Sequence, residues 1–180
     1  MAPAQIITVS GLPGSGTSTA CDQLCRWLGW AHVDAGQIFR QLAREAGLSL
    51  AEFGQRAEVD GCIDRQLDER MVAQAQAQAP IVVEGRLTGW MAQRNALSAV
   101  KIWLAGSPEI RSRRVARRES KAAAQVLVEI RQREASEARR YEQHHKIRID
   151  DLSVYDLVVN TEALDVQKVV AQILAYLEKS

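Results

Sequence analysis

A glycine-rich segment that joins a short apolar run to a helical pattern limits the possible folds of this chain more than any other feature. The apolar run, QIITVS, covers residues 5–10, and the glycine-rich segment covers residues 11–18. Apolar residues then recur at Leu24 and Leu28 until Gly29 ends the pattern. A β-rich run that stops at glycine is typical of a buried strand, and fourfold apolar spacing is typical of a helix. We therefore predict a strand, a tight loop and a helix in succession.

The glycine-rich segment matches a phosphate-binding loop at all but one position. In the pattern G-x-x-x-x-G-K-[ST], backbone N–H groups surround phosphates, the lysine reaches the terminal phosphates, and the last hydroxyl binds Mg²⁺. Gly11, Gly16 and Ser18 are in register, whereas Thr17 stands at the lysine position. The loop therefore predicts a nucleotide phosphate site that lacks its usual fixed positive charge.

The composition indicates one globular domain and excludes several classes of protein. With 180 residues, 47% hydrophobic, 25% charged and a net charge of +1, the chain gives no reason to expect a nucleic-acid or membrane partner. No apolar run reaches the roughly 18–20 residues of a membrane helix, and the pattern of a secretory signal is absent. Cys21 and Cys25 lie one helical turn apart, but no neighbouring His or third Cys in the sequence completes a metal site. We expect reduced cysteines and a cytoplasmic protein.

Short apolar runs alternate with helical patterns along the whole chain, which predicts a parallel, doubly wound α/β sheet. The five predicted strands lie at residues 5–10, 30–33, 81–83, 100–104 and 157–159. The last helix has an apolar stripe and begins after Asp165, which we predict to be its N-cap. Two helical inserts interrupt this alternation, at about residues 49–79 and 109–149. The first insert ends in an alternating Ala-Gln tract, whose helix propensity favours a solvated helix over disorder.

Polar residues at the predicted strand ends point to a phosphate and metal site. Ser18 is the natural Mg²⁺ ligand of the loop, and Glu84 ends the third strand, where a carboxylate can hold the metal through water. The alternative for Glu84 is a solubilising charge at a strand end. Arg40 and Arg86 follow the second and third strands, at the edge where ligands bind in open α/β sheets. Arginine pairs with phosphate oxygens through two parallel hydrogen bonds.

The second insert is dominated by arginine and glutamate. Its densest arginine cluster comprises Arg111, Arg113, Arg114, Arg117 and Arg118. We expect two or three of these side chains to reach phosphate, and the alternative for each is a surface ion pair on a helix. A nucleic-acid surface is disfavoured because glutamates neutralise the cluster and no aromatic residues interleave to stack bases. We predict that His144 and His145 lie on the surface and that His32 is structural.

Several stretches, in this order and spacing, resemble the archaeal-type cytidylate kinases, a branch of the P-loop nucleoside monophosphate kinases. The stretches are AGQIFR (35–40), IDRQLDER (63–70), EGRLTGWM (84–91), KIWL (101–104), EARRY (137–141) and DDLSVYDLVVNT (150–161). The resemblance implies the nucleoside monophosphate kinase fold, a five-stranded parallel sheet flanked by helices, as one domain over residues 1–180. The insert at 49–79 would be the NMP-binding region and the insert at 109–149 the LID.

The resemblance implies an enzyme of pyrimidine nucleotide metabolism that phosphorylates CMP or dCMP with ATP and Mg²⁺. Its partners would be small nucleotides (ATP, CMP and dCMP), and the protein would be a monomer. One alternative is a kinase of the same fold for AMP, UMP or a non-nucleotide acceptor. Another is a catalytically weak nucleotide-binding or sensor protein, because the loop lysine is replaced by Thr17. We favour a third outcome, in which an arginine of the LID takes over the role of the missing loop lysine.

By position, the resemblance also assigns site residues. The residues implied for ATP are Gly11, Leu12, Pro13, Gly14, Ser15, Gly16, Thr17, Ser18, Thr19, Asn160 and Thr161. Those implied for the acceptor nucleotide are Asp34, Gly36, Arg40, Asp64, Arg65, Asp68 and Arg86. The implied catalytic arginines, which would contact the transferred phosphoryl group, are Arg86, Arg113, Arg114, Arg117 and Arg118. Ser18 and Glu84 remain the predicted metal residues.

Overall fold

A parallel five-stranded sheet supports the glycine-rich loop. The computed structural model describes residues 5–179. The strands are β1 (Ile6–Gly11), β2 (Ala31–Asp34), β3 (Ile81–Glu84), β4 (Ala99–Ala105) and β5 (Leu157–Asn160). Their order in the sheet is β2-β3-β1-β4-β5, and every neighbouring pair is parallel. This arrangement confirms the predicted doubly wound α/β sheet and places β1, with the loop that follows it, at the centre.

Helices cover both faces of the sheet, as a parallel sheet requires. The helices are α1 (Thr17–Leu28), α2 (Ala35–Glu45), α3 (Leu50–Val59), α4 (Gly61–Ala77), α5 (Thr88–Arg94), α6 (Pro108–Glu119), α7 (Ala123–His145) and α8 (Val166–Leu177). Successive side chains of a strand point to opposite faces, so β1 contributes to two apolar cores. Ile7 and Val9 pack in a core with α1 and α8, and Ile6 packs in a core with α2, α3 and α4.

Local signals at the helix ends match the predictions. Gly29 adopts a left-handed conformation with φ 69° and donates its N–H to the Cys25 carbonyl, which ends α1. The Asp165 carboxylate accepts from the Lys168 N–H at 2.9 Å and caps α8. The Ala-Gln tract is helical, as predicted, although Ala75 is fully buried and α4 is therefore packed on one side.

The two predicted inserts are helical. The first consists of α3 and α4, and the second consists of α6 and the 23-residue α7. Helices α6 and α7 share a small apolar cluster formed by Val115, Ala116, Val126 and Ile130. Among residues 5–179, no helix combines the length and apolar character needed to cross a membrane.

Candidate active site

The loop between β1 and α1 has the backbone shape of an anion site. Gly14 and Gly16 have φ values of 83° and 93°, a left-handed region that favours glycine. A side chain at Gly14 would also collide with the α6 backbone, because its Cβ would lie 2.5 Å from the Arg111 carbonyl oxygen. Helix α1 begins at Thr17. The loop amides therefore stand at a helix N-terminus, where backbone N–H groups and the helix dipole favour phosphate.

Two cavities open on this loop. The first, of about 370 Å³, lies between the loop and the residues Arg114, Thr161 and Val166. The second, of about 360 Å³, lies between the loop and helices α2, α4 and α7. Gly14, Thr17, Ser18 and Arg118 line both cavities. Two ligands, one in each cavity, would therefore meet at the same short stretch of loop.

Glu84 and Ser18 form the predicted metal pair. The Ser18 hydroxyl donates to Oε1 of Glu84 at 2.6 Å, and Nε2 of His32 lies 3.2 Å from the other carboxylate oxygen. Burial acts to raise the pKa of Glu84, but the neighbouring His32, Ser18 and Thr17 side chains outweigh it and lower the pKa. A buried, ionised carboxylate beside a hydroxyl provides the hard oxygen ligands that Mg²⁺ prefers. The pair therefore fits the ion.

His32 and Cys21 have a spatial relation that the sequence did not show. The ligand atoms of Cys21, His32 and Glu84 all lie within 4.8 Å of one another, so the expectation that no His stands near the cysteines was wrong. Burial raises the pKa of the Cys21 thiol, which keeps its proton at neutral pH and is a poor metal ligand in that form. The Glu84 carboxylate beside the ring outweighs the effect of burial and raises the pKa of His32, which favours an imidazolium at this position. We assign His32 to the orientation of Glu84.

Arg86 connects the loop to the second insert. Its Nη1 donates to the Gly11 carbonyl at 3.0 Å, and its Nε donates to the Glu137 carboxylate at 3.2 Å. Burial acts to raise the pKa of Glu137, but the charges of Arg86 and Arg133 lower it overall. Arg86 is therefore fixed at the wall of the second cavity with its guanidinium beside the loop.

Arg40 and Asp34 stand at the opposite wall of the second cavity. Asp34 caps α2 by accepting from the Gly36 N–H at 2.8 Å, and its other oxygen lies 3.4 Å from Nη2 of Arg40. Half of the Arg40 side chain is exposed. The guanidinium is therefore available to an anion in the cavity.

Arg111 and Arg114 hold the loop from α6. Arg111 is 2% exposed, donates to the Pro13 carbonyl at 3.0 Å and forms an ion pair with Glu134. Arg114 donates to the Thr161 hydroxyl at 2.9 Å in the first cavity. The role of Arg111 was missed from the sequence, although Arg111, Arg114 and Arg118 share one helix face by their i, i+3, i+7 spacing.

Most predicted site residues line one of the two cavities. Those at the first cavity are Gly14, Ser15, Gly16, Thr17, Ser18, Thr19, Arg114, Arg118 and Thr161. Those at the second, apart from the shared residues, are Leu12, Pro13, Asp34, Gly36, Arg40, Asp64, Asp68, Glu84 and Arg86.

Five predicted site residues lie outside both cavities: Gly11, Arg65, Arg113, Arg117 and Asn160. Arg113 and Arg117 are exposed on the side of α6 that faces away from the loop, as helical periodicity requires. Arg65 is exposed on α4, with its Nη2 2.8 Å from the Cys62 sulfur. The Asn160 side chain accepts from the Glu162 N–H at 3.0 Å. Their nucleotide contacts stay predictions.

One face of α7 forms a wall of the second cavity that the sequence did not reveal. The lining residues of this face are Arg133, Glu137, Arg140, Tyr141 and His145. The prediction that His145 is a surface residue was wrong, because its side chain is 10% exposed and lies 3.7 Å from Asp64 and 3.6 Å from Asp68. These five positions recur at the spacing of one helix face, so helical periodicity was the sequence signal that could have grouped them.

A phosphate loop at the centre of a parallel sheet, with helical inserts on both sides, defines a P-loop kinase fold. Solved structures agree: a shikimate kinase from Bacteroides thetaiotaomicron matches with a TM-score of 0.63 at 16% identity, covering 96% of this chain and 98% of that one. A gluconokinase from Sinorhizobium meliloti matches with a TM-score of 0.65 at 14% identity, covering 98% and 93%. At these identities the likeness concerns the fold alone.

Sequence comparison narrows this class to one family. The model of the cytidylate kinase-like family matches residues 6–163. A cytidylate kinase of Halobacterium salinarum is 46% identical over 156 residues, which are 87% of this chain and 80% of that protein. A cytidylate kinase of Pyrococcus abyssi is 43% identical over 173 residues, 96% of this chain and 93% of that protein. The chain belongs to the cytidylate kinase-like family.

Proposed function

We propose that this protein transfers the γ-phosphoryl group of ATP to CMP or dCMP, forming ADP and CDP or dCDP. The observation that supports this most directly is the sharing of Gly14, Thr17, Ser18 and Arg118 by two cavities, in a chain of the cytidylate kinase-like family. ATP occupies the first cavity and the acceptor the second. An oxygen of the acceptor phosphate attacks the γ-phosphorus, and the bond to the β–γ bridging oxygen breaks. As part of the same proposal, the protein acts in the cytoplasm, is a monomer and uses free nucleotides as its substrates.

Positioning and charge stabilisation account for catalysis of phosphoryl transfer. The loop amides hold the phosphates of ATP, and Arg40 and Arg86 hold the acceptor phosphate from opposite walls. Ser18 and Glu84 would hold Mg²⁺, which neutralises charge on the ATP phosphates when it is bound.

Arg118 is the cation that we assign to the task of the absent loop lysine. It lines both cavities beside Thr17. Its side chain is 71% exposed and pairs with Glu119 at 3.1 Å. Exposed ion pairs contribute only about 0–1 kcal/mol, so the guanidinium can leave Glu119 for a phosphate at little cost.

A steady-state assay with ATP, Mg²⁺ and a panel of CMP, dCMP, UMP and AMP tests the proposal. We expect CMP or dCMP to have the highest kcat/KM. A much higher value with AMP than with CMP would overturn the assignment of the acceptor.

The second candidate is a protein that binds nucleotide without turnover, and Thr17 is the observation that favours it. Calorimetry with ATP separates the two functions. Tight binding of ATP together with no formation of ADP from any acceptor would support the binding protein over the kinase.

A further inference from the structure

Three side chains with different ligand atoms converge from α1, β2 and β3. They are Cys21, His32 and Glu84, whose ligand atoms all lie within 4.8 Å of one another. Cys21 is fully buried, and the Glu84 side chain is only 7% exposed. The His32 side chain is 21% exposed, which leaves a route for an ion from the solvent. The group therefore has the dimensions and the access that a single metal ion needs.

Two of the three side chains present polar atoms that no protein group satisfies. Nε2 of His32 and Oε2 of Glu84 lie 3.2 Å apart, yet neither atom has an aligned hydrogen-bond partner among the described residues. Buried polar atoms in folded proteins are almost always satisfied. Bonds from zinc to nitrogen and oxygen of about 2.0–2.2 Å place two tetrahedral ligands roughly 3.3–3.5 Å apart. The two atoms therefore stand close to the spacing of ligands that share one ion.

The chemistry of the three groups selects the kind of ion. Thiolate, imidazole and carboxylate together suit Zn²⁺, whereas Mg²⁺ takes oxygen ligands. Three protein ligands with water at the fourth position form a common zinc arrangement. Burial raises the pKa of the Cys21 thiol, but coordination to a metal ion deprotonates a thiol outright. The thiolate and the carboxylate then balance the two charges of the ion, so no uncompensated charge is buried.

Asp22 stands on the other side of the His32 ring. Its Oδ1 lies 3.8 Å from Nδ1 of His32, and its side chain is 60% exposed and so has room to move closer. A histidine that binds a metal through one ring nitrogen almost always donates from the other nitrogen to a carboxylate, a carbonyl or water. Asp22 can therefore hold the ring with Nε2 directed at the ion.

We propose that Cys21, His32 and Glu84 bind Zn²⁺ and that the bound ion inhibits the protein. The Cys21 thiol releases its proton to the solvent when the ion binds. Zinc at this position competes with Mg²⁺ for Glu84, whose other carboxylate oxygen accepts from Ser18. The inhibition rests on the proposed function, in which Glu84 serves Mg²⁺, whereas the binding of Zn²⁺ does not.

A titration of the whole metal-free chain with Co²⁺ tests the site, because a cobalt–thiolate bond adds an absorption band in the near ultraviolet. We expect the wild type to gain this band with one ion per chain and Zn²⁺, which binds more tightly, to remove it. Cys21→Ala should lose the band. Cys25→Ser, one helical turn away and outside the group, is the matched control and should keep it. No band in the wild type, or a band that Cys21→Ala retains, would overturn the proposal.

A second variant serves in case Cys21→Ala does not fold. His32→Gln removes the nitrogen ligand and should weaken Co²⁺ binding at least about 100-fold, because even changes around metal ligands cost ~10–100-fold. His144→Gln, on α7 and outside the group, is its control and should bind Co²⁺ as the wild type does. Equal affinities of the two histidine variants for Co²⁺ would overturn the zinc site.

Initial rates with CMP, at free Zn²⁺ concentrations held by a metal buffer, separate this inference from the proposed function. The wild type and Cys25→Ser should lose activity at the Zn²⁺ concentration that saturates the site, whereas Cys21→Ala should need at least about tenfold more. Equal sensitivity of the wild type and Cys21→Ala would overturn inhibition through this site. If the protein phosphorylates no acceptor, the proposed function fails, and the cobalt band still decides whether the zinc site exists.

Discussion

The Ser18 hydroxyl donates a 2.6 Å hydrogen bond to Oε1 of Glu84 and so joins the first turn of α1 to the end of β3. Both groups stand at the carboxyl edge of the sheet, where β1 and β3 are neighbours in register. The predicted metal ligand of the loop is therefore positioned by a residue that lies 66 positions later in the chain.

Glu84→Gln should lower kcat about 10–100-fold and raise the Mg²⁺ concentration needed for half-maximal activity, because groups that orient metal ligands have effects of this size. The measurement is a titration of the initial rate with MgCl₂. Glu178→Gln, at an exposed position beyond α8, is the control and should behave as wild type. An unchanged Mg²⁺ dependence in Glu84→Gln would contradict the metal role.

Arg86→Ala should lower kcat/KM for CMP at least about 100-fold, because the acceptor phosphate loses a fixed guanidinium. The Kd of ATP should stay close to the wild-type value, since Arg86 lines only the second cavity of the two. Calorimetry and steady-state kinetics give the two quantities. Arg148→Ala, which removes an exposed arginine paired with Asp150, is the control. A selective loss of ATP affinity in Arg86→Ala would place Arg86 on the donor side instead.

Arg118→Ala should lower kcat about 100-fold or more, as the loss of a charge-stabilising donor does in other enzymes. Arg131→Ala, on an exposed arginine of α7 paired with Glu109, should leave kcat unchanged. Thr17→Lys should bring no gain or a loss, because its ammonium would compete with Arg118 for the same phosphates. A large rise in kcat with Thr17→Lys would show that no arginine replaces the lysine.

Arg111→Ala should destabilise the fold by about 3 kcal/mol, because it leaves the partly buried Glu134 carboxylate and the Pro13 carbonyl unpaired. Glu134 is 19% exposed, which places the effect at the lower end of the range for buried pairs. Urea denaturation measures the change in the free energy of unfolding. Arg113→Ala on the exposed face of α6 should change it by no more than about 0.5 kcal/mol. Equal effects of the two substitutions would contradict the structural role of Arg111.

Asp68→Asn should stabilise the protein at neutral pH but not in acid. Burial raises the pKa of Asp68 to about 6, with His145 opposing and Asp64 adding to the rise. Between the ordinary pKa and 6, the unfolded chain releases this proton while the folded chain retains it, so the carboxyl lowers stability as pH rises. The gain from Asp68→Asn should be absent near pH 4 and complete above pH 7.

The size of this gain is small, because 37% of the Asp68 side chain is exposed and solvent screens the charge. Urea denaturation at pH 4 and pH 7.5 measures it. Asp150→Asn is the control: its pKa is lowered by Arg148, so it should bring no gain at neutral pH. A gain from Asp68→Asn that is equal at both pH values would contradict the assignment.

Local sequence patterns were enough to predict the helices and strands of this fold. The features that the sequence did not predict depend on contacts between segments that are distant in the chain. The strands, the loop and the caps at Gly29 and Asp165 depend on neighbours within a few residues, so they were found. The proximity of His32 to Glu84 arises from the pairing of β2 with β3, in which Asp34 stands opposite Glu84. No spacing in the sequence reports that register.

The same distinction explains the arginines and His145. A cluster of five arginines indicates positive charge, but only the packing of α6 against the loop decides that Arg111 is buried and Arg113 exposed. His145 appears on a polar stretch of helix and becomes part of a cavity only because α4 faces it with Asp64 and Asp68.

The bonds of Arg111 divide α6 into a fixed part and a free part. Its contacts with the Pro13 carbonyl, the Gly106 carbonyl and Glu134 join the start of the helix to the loop and to α7. A swing of the whole second insert would have to break the contact of Arg111 with the Pro13 carbonyl of the loop, whereas Arg118 at the far end needs only to change rotamer. Exposed side chains change rotamer within picoseconds to nanoseconds. In the role proposed for Arg118, its arrival at the phosphates is therefore too fast to limit turnover.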